Sequence, residues 1–419
     1  AGRLEATIDS LRMTYQGVEM SDLDQFRAET AEWLSASAPK SITGLRVTEL
    51  DGNWGGRRAK FAPPDMKPWM EMCAEKGFTA PTWSTEYGGG GLDGPQAKIL
   101  AQEMNRLRLP APLTGFGLTM IGPTLLRYGT EDQKLEHITK ITRGEIRWCQ
   151  GYSEPDSGSD LASLQTRAVR DGDDFIVNGH KVWTSYGDES DWIFALVRTD
   201  TEVKHQAGIT FLLIDMDTPG ISVSPIKLIS GKSPFCETRF EDVRVPVANV
   251  ISEINNGWTV AKALLGHERS MIADVFGTSV SSSKTEGSAL AALGREYLDT
   301  DGDQIAAPVL RDAIAQSEMD SRAFALTVQR SRDAAKAGGQ PGPESSMFKV
   351  YATELNKRRT ELMVRIAGPQ GLGWEGEGFE ERELTHTRDW LRARGNSIEG
   401  GTSEIQLNII SKRVLGLPD

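Results

Sequence analysis

Apolar residues recur at helical spacing through the N-terminal third of the chain. Phe26, Trp33 and Leu34 follow Asp22, a residue type that can cap a helix. The same spacing predicts further helices over 64–77, 97–104, 120–128 and 133–142. We therefore predict an all-helical N-terminal domain over residues 22–145.

The pattern changes to short alternating runs between residues 146 and 250. These runs are rich in β-branched and aromatic residues and are separated by Gly, Pro and Asp turns, which predicts an antiparallel β domain. They cover 192–197, 210–214, 221–225 and 238–245. The helical period returns after Gly257 and continues to the end, with a turn predicted over 338–344. The fold class is α+β: helical N-terminal domain, central β domain (146–250) and four-helix-bundle-like C-terminal domain (251–419).

A hairpin is predicted inside the β domain. Asn178-Gly179 is a two-residue hairpin signal flanked by β-forming residues, so residues 180–185 should form the returning strand. Trp183 and Ser185 should share one face of that strand, because side chains alternate with a period of two. A flat indole beside small hydroxyl residues is typical of a site for a hydrogen-bonding ring.

The loop that precedes this strand region is suited to donating hydrogen bonds. Pro155 fixes one φ angle and Gly158 permits a positive one, which predicts a tight turn over 153–158. The hydroxyls of Ser153 and Ser159 and the backbone N–H groups of the turn are then available to a ligand.

Composition narrows the classes of function. The 419 residues, 38% of them hydrophobic, predict two or three domains. The net charge of −12 argues against nucleic acid or an anionic membrane as the main partner. No apolar run approaches the roughly 20 residues of a membrane span. Three scattered cysteines and five scattered histidines give neither a disulfide framework nor metal-ligand spacing, so we expect no metal and a reducing, cytoplasmic location.

The N-terminus shows no basic region followed by an apolar one, so no signal peptide is predicted. Residues 1–18 are unlike the rest of the chain and are left out of the fold prediction. Met13 and Met20 are the candidate start residues.

One carboxylate lies on the apolar stripe of a predicted helix. Glu268 follows Leu264 by four residues and precedes Ile272 by four. Burial raises the proton affinity of a carboxylate, which suits a general base for a weakly acidic C–H. The alternative is a surface Glu paired with its neighbour Arg269.

Two long motifs resemble the signatures of the acyl-CoA dehydrogenase superfamily. These are GYSEPDSGSDLASLQTRA with VNGHKVWTSYG, and IEGGTSEIQLNIISKRVLG near the C-terminus. The resemblance implies FAD, α,β-dehydrogenation of an acyl-CoA to the trans-2-enoyl-CoA in lipid metabolism, and a homotetramer, with heteromeric assembly as an alternative. It also implies an electron-transferring flavoprotein as the electron acceptor.

The family's usual base is replaced here. In most members a glutamate precedes the Gly-Thr of the C-terminal signature, where this chain has Gly400. In the isovaleryl and long-chain branches the base precedes an Arg on a helix, and Glu268-Arg269 matches that arrangement. The resemblance therefore favours Glu268, with Glu399 as the rival.

The resemblance also implies a set of binding residues. Ser153 and Ser185 match hydroxyls that contact the flavin ring, and Trp183 matches the ring that packs against it. The CoA arm would meet Ser159 and Arg269, and a backbone N–H near Gly400 would hold the thioester carbonyl. The remaining implied cofactor contacts, some across a subunit interface, are Tyr152, Ser159, Gln370, Gly373, Thr402 and Glu404.

A second departure leaves other functions open. Where many members carry an Arg-x-x-Phe-Gly element for a neighbour's FAD pyrophosphate, this chain has Asp299, Asp301 and Asp303. Such carboxylates repel a pyrophosphate. The alternatives are a flavin oxidase, monooxygenase or desulfinase on the same fold, or a flavin-free structural partner in a heteromeric dehydrogenase. The loop that carries these aspartates and the C-terminal motif are together most similar to those of the bacterial branch of the family, which acts on steroid side chains and on ring-containing or otherwise unusual acyl groups.

Overall fold

The computed structural model describes residues 21–45, 52–265, 289–336 and 345–418. Its N-terminal part is helical, as predicted. The helices are α1 (Asp22–Ser37), α2 (Met66–Glu75), α3 (Gly94–Arg106), α4 (Gly122–Tyr128), α5 (Glu131–Gln133) and α6 (Thr139–Thr142).

Side-chain caps set the starts of these helices. The predicted Asp22 cap of α1 is wrong: Ser21 is the N-cap, and its hydroxyl accepts the Asp24 N–H at 3.2 Å. Asp22 lies in the first turn, where its charge complements the helix dipole. At α3, Asp93 and Gln96 form a reciprocal capping box that stabilises the first turn.

The described residues divide into two compact units. The first contains the described residues up to Leu118 together with Lys134–Arg147. Its core is a cluster of fully or nearly fully buried side chains: Leu34, Ile42, Met66, Trp69, Cys73 and Leu100. The second contains Thr119–Gln133 and the described residues from Trp148 onward.

A seven-stranded sheet dominates the second unit. Its strands are β1 (Trp148–Gly151), β2 (Arg167–Asp171), β3 (Asp174–Ser185), β4 (Trp192–Arg198), β5 (Ile209–Asp215), β6 (Ile221–Ile226) and β7 (Phe235–Pro246). The order is β1-β4-β2-β3-β7-β6, with β5 paired to β4. The β1–β4 and β2–β4 pairings are parallel, so the sheet is mixed rather than purely antiparallel as predicted.

The strands that carry the core are apolar on both faces. Every residue of β4 after Trp192 is buried, as is every residue of β5 before Asp215. Strands covered on both sides read as continuous hydrophobic runs. The predicted alternation therefore holds better for β7, which alternates buried and exposed positions along most of its length.

The predicted hairpin at Asn178-Gly179 is wrong, because β3 runs through it without turning back. The turn lies earlier, at Gly172 (φ +63°), between β2 and β3. At Asn178 the register against β7 shifts instead. The Asn178 side chain donates to the Asp242 carboxylate at 3.0 Å and accepts from its backbone N–H at 2.9 Å. A β-bulge therefore uses the residues that resemble a hairpin turn.

Helices return after the sheet, which confirms the helix, sheet, helix order. Residues 257–265 are helical and are called α7. The later elements are α8 (Ala289–Tyr297), β8 (Thr300–Asp301), β9 (Gln304–Ile305), α9 (Pro308–Lys336), α10 (Ser345–Ala367), α11 (Glu381–Ala393) and α12 (Ser403–Ile409). The domain boundaries at 145/146 and 250/251 stay predictions.

Several predicted features lie outside the described residues. They are Glu268, Arg269 and the turn over 338–344.

Candidate active site

The predicted tight turn after β1 is present and spans Glu154–Ser157. The backbone groups of these two residues exchange hydrogen bonds of 3.0 and 3.1 Å, with Pro155 and Asp156 at the corner. Next to the turn, Val182 of β3 donates its N–H to the Ser153 carbonyl at 2.9 Å. The loop that carries Ser153 is therefore held against β3.

A buried ion pair between Lys181 and Glu154 also holds this loop against β3. Lys181 on β3 is fully buried, and its Nζ donates to Glu154 Oε1 at 2.7 Å and to the Tyr152 carbonyl at 3.1 Å. The Glu154 carboxylate also accepts the backbone N–H groups of Gln165 (2.6 Å) and Thr166 (2.9 Å). The loop, the start of β2 and β3 thus meet at one carboxylate.

The two charges shift each other's protonation. Burial would raise the pKa of Glu154, but the charge and hydrogen bond of Lys181, together with the hydrogen bonds from Thr166 and Gln165, outweigh it and lower that pKa. Burial lowers the pKa of Lys181 to about 8, although Glu154 partly offsets the effect. Sequence reasoning missed this pair. Its signal was a lysine at an inward position, with the same parity as Phe175 and Val177 on β3.

Trp183 stands on a bulge of β3. Its φ is +62°, and the register against β7 shifts between Lys181 and Thr184, both fully buried. Trp183 and the partly buried Ser185 flank Thr184. The indole is 53% exposed, which leaves a large aromatic face available to a ligand. Tyr152, by contrast, is buried edge-on against Phe194 at 6.1 Å.

The rival base Glu399 is occupied by an ion pair. Arg392 on α11 donates Nη2 to Glu399 Oε2 at 2.6 Å and Nη1 to Oε1 at 3.4 Å. Asn396 donates its side-chain N–H to the same Oε1 at 2.5 Å. Both carboxylate oxygens therefore accept hydrogen bonds within the chain. Sequence reasoning missed Arg392, which lies seven residues before Glu399 on a different element.

The glycines after Glu399 form a compact turn. Gly400 and Gly401 have φ angles of +62° and +84°, which glycine adopts without strain. The Gly400 carbonyl accepts from the Gln406 side chain at 3.1 Å. Thr402 is the N-cap of α12, accepting the Ile405 N–H at 3.2 Å, and Glu404 is exposed in the first turn.

Gln370 and Gly373 belong to a second group of contacts. Gln370 donates to Glu383 Oε2 at 3.3 Å, and Tyr297 donates its hydroxyl to Glu383 Oε1 at 2.6 Å. The hydrogen bond from Tyr297 is the main reason that the pKa of Glu383 is lowered. A Cβ at Gly373 would lie 2.4 Å from the Phe379 ring, so this position requires glycine.

The structure thus brings part of the predicted site together. Ser153, Trp183 and Ser185 lie around one stretch of β3. Gln370 and Gly373 contact residues of 378–383 instead. Ser159 is exposed beyond the turn, and the three aspartates around the β8–β9 hairpin are exposed.

The described ranges contain neither a metal-binding cluster nor a membrane-spanning helix. No group of three or more His, Cys, Asp and Glu side chains there is arranged to hold a metal ion. No helix within the same residues has both the length and the apolar character needed to cross a membrane. Cys73, Cys149 and Cys236 are buried and are not in disulfides.

Three family models match successive parts of the chain. The acyl-CoA dehydrogenase N-terminal domain matches residues 44–145, the middle domain 149–243 and the C-terminal domain 255–415.

Relatives and solved structures agree with these matches. Acyl-CoA dehydrogenase IpdE1 of Mycobacterium tuberculosis is 33% identical over 402 residues, covering 95% of this chain and 99% of the relative. FadE26 of the same organism is 32% identical over 359 residues, which cover 83% of this chain and 87% of the relative. The Tcur3481-Tcur3483 steroid ACAD has a TM-score of 0.72 at 29% identity, covering 96% and 98%. The ChsE4-ChsE5 complex from M. tuberculosis has a TM-score of 0.71 at 26% identity, covering 96% and 100%.

Proposed function

Because the chain belongs to the acyl-CoA dehydrogenase family and is an acyl-CoA dehydrogenase enzyme, we propose that it uses FAD to convert an acyl-CoA thioester to the trans-2-enoyl-CoA. The observation that carries the proposal is the exposed Trp183 indole on β3, which follows Val182, the residue that binds the Ser153 carbonyl, and lies two residues before Ser185. A flat aromatic face beside hydroxyl groups fits a flavin ring, which both stacks and forms hydrogen bonds. FAD, when bound, accepts the hydride from the β-carbon of the substrate.

The flavin ring would be held by Ser153, Trp183 and Ser185, with Tyr152 and Ser159 on the same loop. Gln370, Gly373, Thr402 and Glu404 would hold the dinucleotide part. The Lys181–Glu154 pair supports this assignment because it ties the Ser153 loop to the strand that carries Trp183. A site of this kind needs its binding groups held rigidly by a supporting layer of contacts.

Glu268 is our proposed base, taking the α-proton of the thioester onto its carboxylate. Leu264, four residues earlier, is fully buried, as are Val260 and Ala261. The sequence spacing predicts Glu268 on the same helix face as these residues, and a carboxylate among apolar side chains is suited to remove a proton from carbon. Glu399 is disfavoured because a proton taken from the substrate would neutralise its carboxylate and so remove the charge that Arg392 pairs with.

The thioester carbonyl would be polarised by a backbone N–H near Gly400, which stabilises the charge that develops as the α-proton leaves. Ser159 and Arg269 would contact the CoA arm. The name of one similar solved structure describes it as a steroid ACAD, and we propose a ring-containing, steroid-derived acyl group as the substrate class. The acceptor would be an electron-transferring flavoprotein.

Two other functions make different predictions. A flavin oxidase or monooxygenase would show rapid reoxidation of reduced flavin by oxygen. A flavin-free partner subunit, suggested by the exposed carboxylates of 299–303, would purify colourless and stay so with added FAD.

The visible absorbance spectrum tests the proposal. The purified protein, kept anaerobic, is expected to be yellow and to bleach when a steroid-derived acyl-CoA is added. Glu268→Gln should lower the rate of bleaching by about 10²–10⁴-fold, the usual contribution of a general base, with flavin still bound. A Glu268→Gln variant that bleaches at the wild-type rate contradicts the assignment of the base.

A further inference from the structure

Trp183 packs against one neighbour on the next strand. Phe235 opens β7 and is paired with Ser185 in the register of the sheet. The Trp183 and Phe235 rings meet edge to face, with centroids 6.0 Å apart and planes at 86°. This geometry is favourable for aromatic pairs. Phe235 therefore helps to set the orientation of the Trp183 indole.

Phe235 is in turn covered by a cation. The Arg392 guanidinium lies over its ring, 5.3 Å from the centroid. The same guanidinium forms the two-point ion pair with Glu399 described above. The planar fork of arginine can stack on a ring and bind a carboxylate at the same time, which a lysine cannot reproduce. Glu399 thereby holds Arg392 in place over Phe235.

Glu399 is itself anchored in the helical core. Asn396, which donates to Glu399, accepts from the Asn356 side chain at 2.9 Å. The Asn396 carbonyl accepts from the buried Lys349 Nζ at 3.0 Å. The contacts thus run without a break from α10 through Glu399, Arg392 and Phe235 to Trp183.

Trp183 needs such support because its backbone is strained. A bulky residue at a φ of +62° is strained and persists only where surrounding contacts hold it. The side chain is also more than half exposed, so few core contacts fix it. Contacts from Phe235 and Arg392 supply one side of that support.

We propose that Arg392 and Glu399 are positioning residues that orient Trp183 through Phe235, and that Glu399 acts through Arg392 rather than by taking a proton from substrate. The inference rests on the proposed function, since it assigns Trp183 to the flavin ring. It gives the glutamate next to the C-terminal signature a role in the environment of the cofactor.

The test is a double-mutant cycle on the flavin-loaded enzyme. Arg392→Met, Glu399→Gln and the double variant are compared by the absorption and fluorescence of bound flavin, the rate of flavin reduction by acyl-CoA, and Tm. Each single variant should shift the flavin bands and slow reduction about tenfold. The double variant should match the singles, because residues that act through one contact are not additive.

Two further variants separate positioning from general stability. Arg392→Lys keeps the charge but loses the planar fork, so it should restore the rate and spectrum only in part. Arg244→Met removes an equally long arginine that is paired with Asp171 at the surface of the same sheet, and should leave spectrum and rate unchanged.

The outcomes distinguish this inference from the proposed function. Wild-type protein that is yellow and bleaches, with Arg392→Met showing the same spectrum and rate, overturns the inference alone. So does a Glu399→Gln variant that loses flavin reduction more than a thousandfold while Arg392→Met keeps it, because Glu399 is then the base. Wild-type protein that stays colourless with FAD overturns the proposed function, and the inference with it.

Discussion

A lysine that is fully buried in a β-sheet depends on its acidic partner. Removing one member of a buried ion pair leaves the other charge without compensation and usually costs about 3–5 kcal/mol. Lys181→Met should therefore lower the free energy of unfolding by about that amount, measured by urea denaturation at pH 7. The cost arises at Glu154, because its carboxylate stays buried but no longer has a cation beside it.

The pH dependence of that cost has a definite sign. In the wild-type protein the pKa of Glu154 is lowered, so its stabilising contribution is present above the unfolded value of 4.5 and is lost as the pH falls. In Lys181→Met the buried carboxyl gains from protonation instead. The difference in the free energy of unfolding between the wild-type protein and Lys181→Met should therefore become smaller as the pH falls from 7 towards 4. Lys140→Met is the control, because it removes a surface ion pair in which Lys140 Nζ lies 3.6 Å from Glu136 Oε1. It should lower the free energy of unfolding by no more than about 1 kcal/mol. If Lys181→Met and Lys140→Met lower the free energy of unfolding equally, the Lys181–Glu154 ion pair does not have the stabilising role assigned to it here.

At the scale of the element, the two glycines of the β2–β3 region have opposite requirements. A Cβ at Gly179 would lie 2.4 Å from Thr166 Oγ1 and 2.6 Å from its Cα, so the bulge leaves no space for it. At Gly172 no atom lies within 4 Å and only the positive φ resists substitution. Gly179→Ala should destabilise by about 3 kcal/mol through overpacking, and Gly172→Ala by about 1 kcal/mol through backbone strain. Urea denaturation of both variants measures the difference. If Gly172→Ala destabilises the protein more than Gly179→Ala, the chain turns at Asn178-Gly179 and not at Gly172.

At the scale of the whole molecule, the C-terminal end carries an unusual amount of exposed apolar surface. Leu372, Ile398, Leu407, Leu415 and Leu417 are each more than half exposed. Exposed apolar side chains that form one patch are typical of an interface between subunits, and we infer that these residues contribute to one. The homotetramer that the family resemblance implies should have about four times the chain mass of 45.9 kDa in light scattering. Leu407→Glu with Leu415→Glu should give smaller species, because charges would be buried in the contact.

A matched control for this prediction is Val203→Glu, at an exposed apolar residue in the connection between β4 and β5. It should leave the mass unchanged. Protein that remains a single chain until a second, different subunit is added would favour the heteromeric alternative.

Local patterns were sufficient for the order of elements. Helical spacing near Phe26 and Leu34, and the β-rich runs from residue 192 to residue 245, predict helix, sheet and helix correctly because these signals act within one turn or one strand. The tight turn at Pro155 was predictable for the same reason. Trp183 and Ser185 were singled out from their residue types, and the family resemblance gave them their expected roles at the flavin ring.

Partners distant in the sequence were decided only by the tertiary structure. Asn178-Gly179 has the composition of a hairpin turn, but Asp242, 64 residues away, converts it into a bulge. Lys181 meets Glu154, and Arg392 meets Phe235, because the sheet and the C-terminal helices bring them together. Sequence by itself determined which side chains have the chemistry of the site. Which of them bind each other depends on long-range packing, since the energy of an ion pair or ring contact depends on distance and burial that no local pattern contains.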